Sequence, residues 1–131
     1  MTLTDYLNTR YRKGGRGPTY YDCWGMTRAA FHSLFGGEML PTCADALPGS
    51  IAAITKSVRN VAREHAMTPQ TQVRPGMIAT CWHGRACVHV GLVVEADGRL
   101  WVLETDDPIG PVLTRVAEFE DRYSQVVYYA H

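Results

Sequence analysis

A cysteine and a histidine, far apart in the sequence, have the types and local contexts that thiol catalysis requires. Cys23 lies within residues 21–25, YDCWG, just before a helical pattern, and His89 lies within residues 87–91, CVHVG, on a predicted strand. A thiol nucleophile and an imidazole base, brought together by the fold, can carry out acyl transfer through a covalent intermediate. The pair therefore indicates a thiol hydrolase.

The position of Cys23 favours the reactive form of its thiol. Asp22 is a good N-cap residue, so Cys23 falls in the first helical turn, where free N–H groups and the helix dipole favour negative charge. Gly25 lets neighbouring backbone come close, and the N–H of Cys23 itself is placed to hold an oxyanion. The alternative is a buried structural thiol, and the later histidine with its glycine-rich context decides against that alternative.

The hairpin that follows His89 determines which carboxylate accompanies the imidazole. With residues 96–97 as a two-residue loop, His89 lies directly opposite Glu104. With residues 97–98, the favoured Asp-Gly pair, His89 faces Asp106 and Glu104 is a diagonal neighbour. In both registers a carboxylate shares the face of His89, where it would orient the ring and stabilise its charged form. A three-residue loop would reverse the faces and weaken this argument. The alternative is that Glu104 and Asp106 merely solvate a strand end.

Apolar periodicity predicts helices in the first half of the chain and strands in the second. The helical patterns cover residues 2–9, with Thr4 as a cap, residues 23–35, with Gly36-Gly37 as a stop, and about 50–65. Runs rich in branched and aromatic residues predict strands at 77–82, 88–95, 99–104, 112–116 and 125–129. Along the second run, Val88, Val90, Leu92 and Val94 form the expected core face. This order predicts an α+β fold with N-terminal helices packed on a central antiparallel sheet of about five strands.

Length and composition limit the class of protein. With 131 residues, the chain is expected to form one domain over residues 1–131. Thirteen basic and thirteen acidic residues disfavour a nucleic-acid partner, because counterion-driven binding needs a basic excess. No run approaches the roughly 20 apolar residues of a membrane span, and residues 1–10 lack the apolar region of a signal peptide. We therefore expect a protein made in the cytoplasm, with no signal peptide and no membrane insertion.

Cys81, His83, Cys87 and His89 form a Cys-x-His-x3-Cys-x-His series that suggests a zinc site. The spacing differs from that of the usual knuckles, whose ligand pairs lie two to four residues apart on turns, so we expect neither a metal nor a cofactor. His83 is instead predicted on a hairpin loop beside the cleft, where it would contact substrate. A disulfide between Cys81 and Cys87, across this hairpin, is an alternative under oxidising conditions.

Four motifs in order resemble those of the NlpC-type cysteine peptidases, a family of papain-like peptidoglycan hydrolases, and the resemblance covers nearly the whole chain. YRKGG at residues 11–15 resembles the family's Tyr-x-aromatic-Gly-Gly entry motif, and DCWG at 22–25 resembles its Asp-Cys-Ser-Gly nucleophile motif. RPG at 74–76 resembles its Arg-Pro-Gly-Asp turn, and HVGL at 89–92 resembles its His-Val-Gly-Ile base motif. Lys13 and Met77 depart from the pattern, which bears on substrate fit more than on chemistry.

The resemblance implies a papain-like fold in which Cys23 is the nucleophile, His89 the base and Glu104 the third, orienting residue. It also implies that Tyr11 lines the site and positions the reacting carbonyl. The full set of expected substrate-binding residues is Tyr11, Asp22, Trp24 and His83. The expected reaction is cleavage of an amide bond in a peptidoglycan stem peptide, and the family suggests the bond between D-glutamate and the diamino acid.

Two features are more similar to the phage and prophage tail-associated branch of the family. They are the Trp of DCWG and the endings FEDRY at 119–123 and VVYY at 126–129. Phage tail proteins are therefore expected partners, and a virion component acting in the periplasm or cell wall fits the missing signal peptide. Two alternatives remain open: a non-enzymatic structural or assembly component of a tail tip with the same fold, and a thiol hydrolase of another acyl substrate, such as a lipid or a protein amide.

Overall fold

The computed structural model describes all 131 residues and contains four helices and eight strands. The helices are α1 (Leu3–Leu7), α2 (Cys23–Phe35), α3 (Ile51–Glu64) and α4 (Val116–Asp121). The strands are β1 (Arg10–Tyr11), β2 (Tyr20–Tyr21), β3 (Thr68–Gln70), β4 (Ile78–His83), β5 (Ala86–Ala96), β6 (Arg99–Asp106), β7 (Gly110–Arg115) and β8 (Gln125–Ala130). None of the helices combines the length and the apolar character that crossing a membrane requires.

Six strands form one antiparallel sheet in the order β3-β8-β4-β5-β6-β7. This confirms the predicted α+β class, with helices from the first half of the chain packed on a central antiparallel sheet. The sheet has six strands rather than about five, because β3 pairs with β8 along one edge. Strand β3 was not predicted, because its sequence, Thr-Pro-Gln, contains a proline. Proline argues against a strand except at the edge of a sheet, which is where β3 lies.

A small parallel pair of strands, β1 and β2, precedes α2 and was not predicted. Each strand has only two residues, which is too short for an alternating pattern. Tyr11 is aligned with Tyr21 in this pair, so Tyr11 is held beside the start of α2. The pair thus brings the entry segment of the chain to the helix that begins with Cys23.

The termini of the first two helices follow from their capping residues. In α2 the Asp22 side chain accepts a hydrogen bond from the Gly25 N–H at 2.9 Å, and Gly36 ends the helix in the left-handed region at φ 67°. These are the predicted limits. The predicted cap of α1 was wrong: Thr2, and not Thr4, forms a reciprocal capping box with Asp5, and α1 is shorter than the predicted segment.

The two faces of the sheet bury separate apolar clusters. Helices α2 and α3 cover the face that includes Leu92 and Val94, and Phe119 of α4 covers the face that includes Val93 and Val102. Alternation along β5 places these two sets on opposite sides. The molecule is therefore a sheet between two unequal helical layers.

A β-bulge in the hairpin of β4 and β5 corrects part of the predicted alternation. Cys81 pairs with His89 while Trp82 pairs with Cys87, so Val88 is the additional residue. Val88 packs in the Phe119 cluster and not beside Val90, where the regular alternation predicts it. As a result, Val88 and Cys87 each point to the side of the sheet opposite to the one that regular alternation predicts.

Candidate active site

The Cys23 side chain lies at the first position of α2 and is 8 % exposed. The helix can begin here only because position 25 has no side chain: a Cβ on Gly25 would lie 2.1 Å from the Gly15 carbonyl oxygen. The predicted close approach of backbone at Gly25 is thereby confirmed. The first helical turn and the loop of residues 12–19 are thus in direct contact.

Asp22 joins these two segments from inside the protein. Its carboxylate accepts hydrogen bonds from the backbone N–H of Gly14 at 3.0 Å and of Gly25 at 2.9 Å, and from Arg16 Nη1 at 2.6 Å. The residue is fully buried. The expected contact between Asp22 and substrate is therefore corrected, because both carboxylate oxygens are used within the protein and neither reaches a surface.

The turn between β5 and β6 selects one of the two predicted registers. Residues 97–98 form the loop, and both have positive φ, 53° and 71°, as the Asp-Gly pair favours. In this register Glu104 is the diagonal neighbour of His89, yet it makes the closer contact. His89 Nε2 lies 2.8 Å from Glu104 Oε1, whereas His89 Nδ1 lies 3.9 Å from Asp106 Oδ2.

Glu104 is a buried carboxylate with three hydrogen-bond partners. Thr114 Oγ1 donates to its Oε2 at 2.5 Å, Arg122 Nη2 donates to its Oε1 at 2.6 Å, and His89 is the third partner. Burial alone would raise the pKa of Glu104, but these hydrogen bonds from His89, Thr114 and Arg122 outweigh it and hold the pKa below the ordinary value. Glu104 is therefore charged at neutral pH although it is 3 % exposed.

His89 is held in its protonated form by its two neighbours. Burial lowers the pKa of His89, but hydrogen bonds to Cys23 and to Glu104 outweigh it and raise the pKa to about 9. Because Nε2 is bonded to Glu104, Nδ1 is the nitrogen left for the Cys23 thiol. The arrangement places a thiol beside an imidazole that is oriented by a carboxylate, which is suited to nucleophilic catalysis.

Aromatic side chains of α4 and of the segment after it pack against the imidazole. The ring centroid of His89 lies 6.1 Å from that of Phe119 and 6.3 Å from that of Tyr123, whose ring is inclined by only 24°. Arg122, between these two in sequence, reaches Glu104. No local sequence pattern identifies Thr114, Arg122 or Tyr123 as site residues. They reach Glu104 and His89 only because β7 and α4 dock beside β6.

The other predicted site residues lie at different distances from this centre. Burial, together with the charges of Asp106 and Cys23, raises the pKa of Tyr11 to about 12, and Tyr11 is aligned with Tyr21, two residues before the thiol. Trp24 is half-buried and borders an apolar cavity with Cys23. His83 is exposed, and its ring lies 5.6 Å from that of Tyr123, so it approaches His89 only through that aromatic ring.

The Cys-His series of the central hairpin is dispersed in the structure. All four cysteines of the chain are free. Cys81 packs in the Phe119 cluster and Cys87 packs in the cluster of Cys23 and Trp82, so no disulfide joins them. No three His, Cys, Asp or Glu side chains converge on a position that could hold a metal ion.

Comparison with families of known proteins matches residues 8–128 to the NlpC/P60 family. No curated protein matches the chain. Members of this family are generally cysteine peptidases or amidases that act on peptidoglycan peptides, and helices on a six-stranded antiparallel sheet are consistent with their papain-like fold. Because the match extends over nearly the whole chain, this protein belongs to the NlpC/P60 family.

Proposed function

We propose that this protein is a cysteine peptidase that cleaves an amide bond in peptidoglycan stem peptides. The observation that carries the proposal is the convergence of Cys23, His89 and Glu104 from α2, β5 and β6 in one nearly dry cluster. Low exposure strengthens the electrostatic coupling between these groups. Family membership supports the general activity, and the residue roles are our own assignment.

In the first half of the reaction, the Cys23 thiolate attacks the carbonyl carbon of the scissile amide. The negative charge that develops on the carbonyl oxygen is stabilised by the N–H of Cys23, which has no helical partner at this position. We assign Tyr11, whose strand pairs with the residues that lead into α2, to hold the same oxygen. Protonated His89 then donates its proton to the leaving amine, and a thioester on Cys23 remains.

In the second half, neutral His89 accepts a proton from water, and the resulting hydroxide attacks the thioester. The carboxylic acid product leaves, and the thiolate–imidazolium pair is restored. Glu104 remains charged throughout and keeps the ring oriented with Nε2 toward itself. Arg122 and Thr114 hold Glu104 in turn, so the orientation of His89 is fixed by three elements of the fold.

We further propose the D-glutamyl–diamino acid bond as the scissile bond and a phage or prophage tail as the setting. The bond is supported by resemblance to the family in the entry, nucleophile and base motifs. The tail setting is supported by the DCWG motif and by the segments at residues 119–123 and 126–129. In this setting the enzyme would open the cell wall locally, and tail proteins would be its partners.

Digestion of purified peptidoglycan tests the proposal, with the released peptides identified by mass spectrometry. The wild type should release peptides with new termini at the D-glutamyl–diamino acid bond. Cys23→Ala should lower the rate by at least about 10³-fold, because it removes the nucleophile. Cys43→Ala removes a different free thiol and serves as the matched control, with activity close to that of the wild type.

Each other outcome has a definite meaning. Cleavage that persists in Cys23→Ala would assign the reaction to another nucleophile. Cleavage at a different bond would overturn the choice of bond alone. No cleavage by folded, reduced wild type would overturn the peptidase proposal and favour a non-enzymatic tail component.

A further inference from the structure

The exposed side of α3 carries a concentration of positive charge that the proposed reaction does not use. Lys56, Arg59 and Arg63 recur at intervals of three and four residues, so they share one face of the helix. Arg85, from the turn between β4 and β5, lies beside them on the same concave surface. All four side chains are exposed. We call the surface lined by these four residues the basic groove.

The basic groove contains no counterion of its own. Its nine lining residues include four cations and no acidic residue, although the chain as a whole has balanced charge. The nearest carboxylate contact is that of Glu64, whose Oε1 lies 3.9 Å from Arg63 Nη2, and both side chains are more than 60 % exposed. A surface pair of this kind contributes little, so the groove remains available to an anionic ligand.

The basic groove and the candidate active site border the same buried cluster of side chains. The Arg59 guanidinium lies 5.9 Å from the ring centroid of Trp82, and Thr55 Oγ1 accepts a hydrogen bond from the Cys87 N–H at 2.9 Å. Trp82 and Cys87 pack in the same cluster as Cys23. The groove is therefore separated from Cys23 by this buried cluster, and a ligand that contacts both must extend around it.

We propose that the basic groove binds carboxylates of a second stretch of the peptidoglycan polymer while Cys23 cuts the first. This inference rests on the proposed function. Peptides built from glutamate and a diamino acid carry free carboxylates, and arginine offers paired donors that match the geometry of a carboxylate. Each exposed contact is weak, but a repeating polymer engages several of them together with the active site, which raises the overall affinity.

Binding to insoluble peptidoglycan, stripped of attached phosphate polymers, tests the groove in the absence of cleavage. In a Cys23→Ala background, Arg59→Gln with Arg63→Gln should weaken binding about fivefold and reduce its dependence on salt. The matched control is Arg74→Gln with Arg99→Gln, which removes the same charge from exposed positions elsewhere. Binding by the control should equal that of the parent.

Rates measured with Cys23 restored distinguish the groove from the catalytic centre. The groove variant should digest insoluble peptidoglycan about fivefold more slowly while hydrolysing a soluble stem peptide at the wild-type rate. Unchanged binding, an equal loss in the control, an equal loss on the soluble peptide, or binding that requires attached phosphate polymers would overturn the inference. If the wild type cuts neither substrate, the proposed function fails, whereas the binding measurement still decides whether the groove recognises the polymer.

Discussion

At the scale of single residues, two carboxylates lie near His89 but differ in environment. Glu104 is 3 % exposed and contacts Nε2 at 2.8 Å, whereas the Asp106 side chain is 62 % exposed and lies 3.9 Å from Nδ1. A charge in a dry environment interacts more strongly than one surrounded by water. Glu104 is therefore the carboxylate that we assign to orient the imidazole.

Replacing each carboxylate by its amide separates these two roles. The reaction needs protonated His89 for the leaving amine, so activity should fall as pH rises through the His89 pKa of about 9. Glu104→Gln removes one cause of that raised pKa. It should move the alkaline limb of kcat/KM to lower pH and reduce kcat/KM on the order of 100-fold. The pH profile of kcat/KM on a soluble stem peptide gives both values.

Asp106→Asn is the matched control for this experiment. It should leave the alkaline limb in place and change kcat/KM by less than about threefold, since exposed pairs are weak. A larger effect from Asp106→Asn than from Glu104→Gln would assign the orienting role to Asp106 instead.

At the scale of elements, the start of α2 depends on its contact with the loop before it. The Gly15 carbonyl oxygen accepts hydrogen bonds from the Asp22 N–H at 3.1 Å and from Arg16 Nη1 at 3.0 Å. These bonds fix the oxygen that lies against Gly25. The helix that presents Cys23 and the loop that follows Tyr11 are thus a single unit.

Substituting Gly25 by Ala tests that contact, because helix propensity and the clash with the loop have opposite effects on stability. Helix propensity alone predicts that Ala stabilises a helix by about 1 kcal/mol relative to Gly. The added methyl group would lie 2.1 Å from a backbone oxygen that cannot easily move, and we expect this clash to dominate. The free energy of unfolding should fall by about 2–4 kcal/mol, as for other overpacked sites. Denaturant unfolding measures this change.

Gly49→Ala provides the comparison for Gly25→Ala. Gly49 has φ 89° and no neighbouring atom within 4 Å of an added Cβ, so it reports backbone strain alone, about 1–2 kcal/mol. A neutral or stabilising effect of Gly25→Ala would show that the loop is free to move away from the helix.

The elements that could be predicted from the sequence are those with strong local signals. The limits of α2 followed from Asp22 and Gly36, and the Asp-Gly pair marked the turn that brings Glu104 near His89. Strands β1, β2 and β3 have two or three residues, and α4 has six, so none is long enough for a repeating apolar pattern to stand out. Arg122 reaches Glu104 only because α4 docks beside β6, a tertiary arrangement that no local pattern encodes.

At the scale of the whole molecule, the fold gives its four free thiols different environments. Burial raises the pKa of Cys43, raises that of Cys81 strongly, and raises that of Cys87 to about 11. These three thiols therefore remain protonated near neutral pH, and protonated thiols are poor nucleophiles. Cys23 alone lies beside an imidazole that carries a proton. Chemistry at sulfur should accordingly be confined to Cys23.

The most direct test of this account is to label the protein with a stem peptide in which a chloromethyl ketone replaces the scissile amide. Intact-protein and peptide mass spectrometry then locate the thioether that forms. We expect one adduct per chain, on Cys23. Its formation should slow when excess unmodified stem peptide competes, and Cys23→Ala should form none. An adduct on another cysteine, no adduct at all, or labelling that the competing peptide does not slow would contradict a catalytic Cys23 that recognises this substrate.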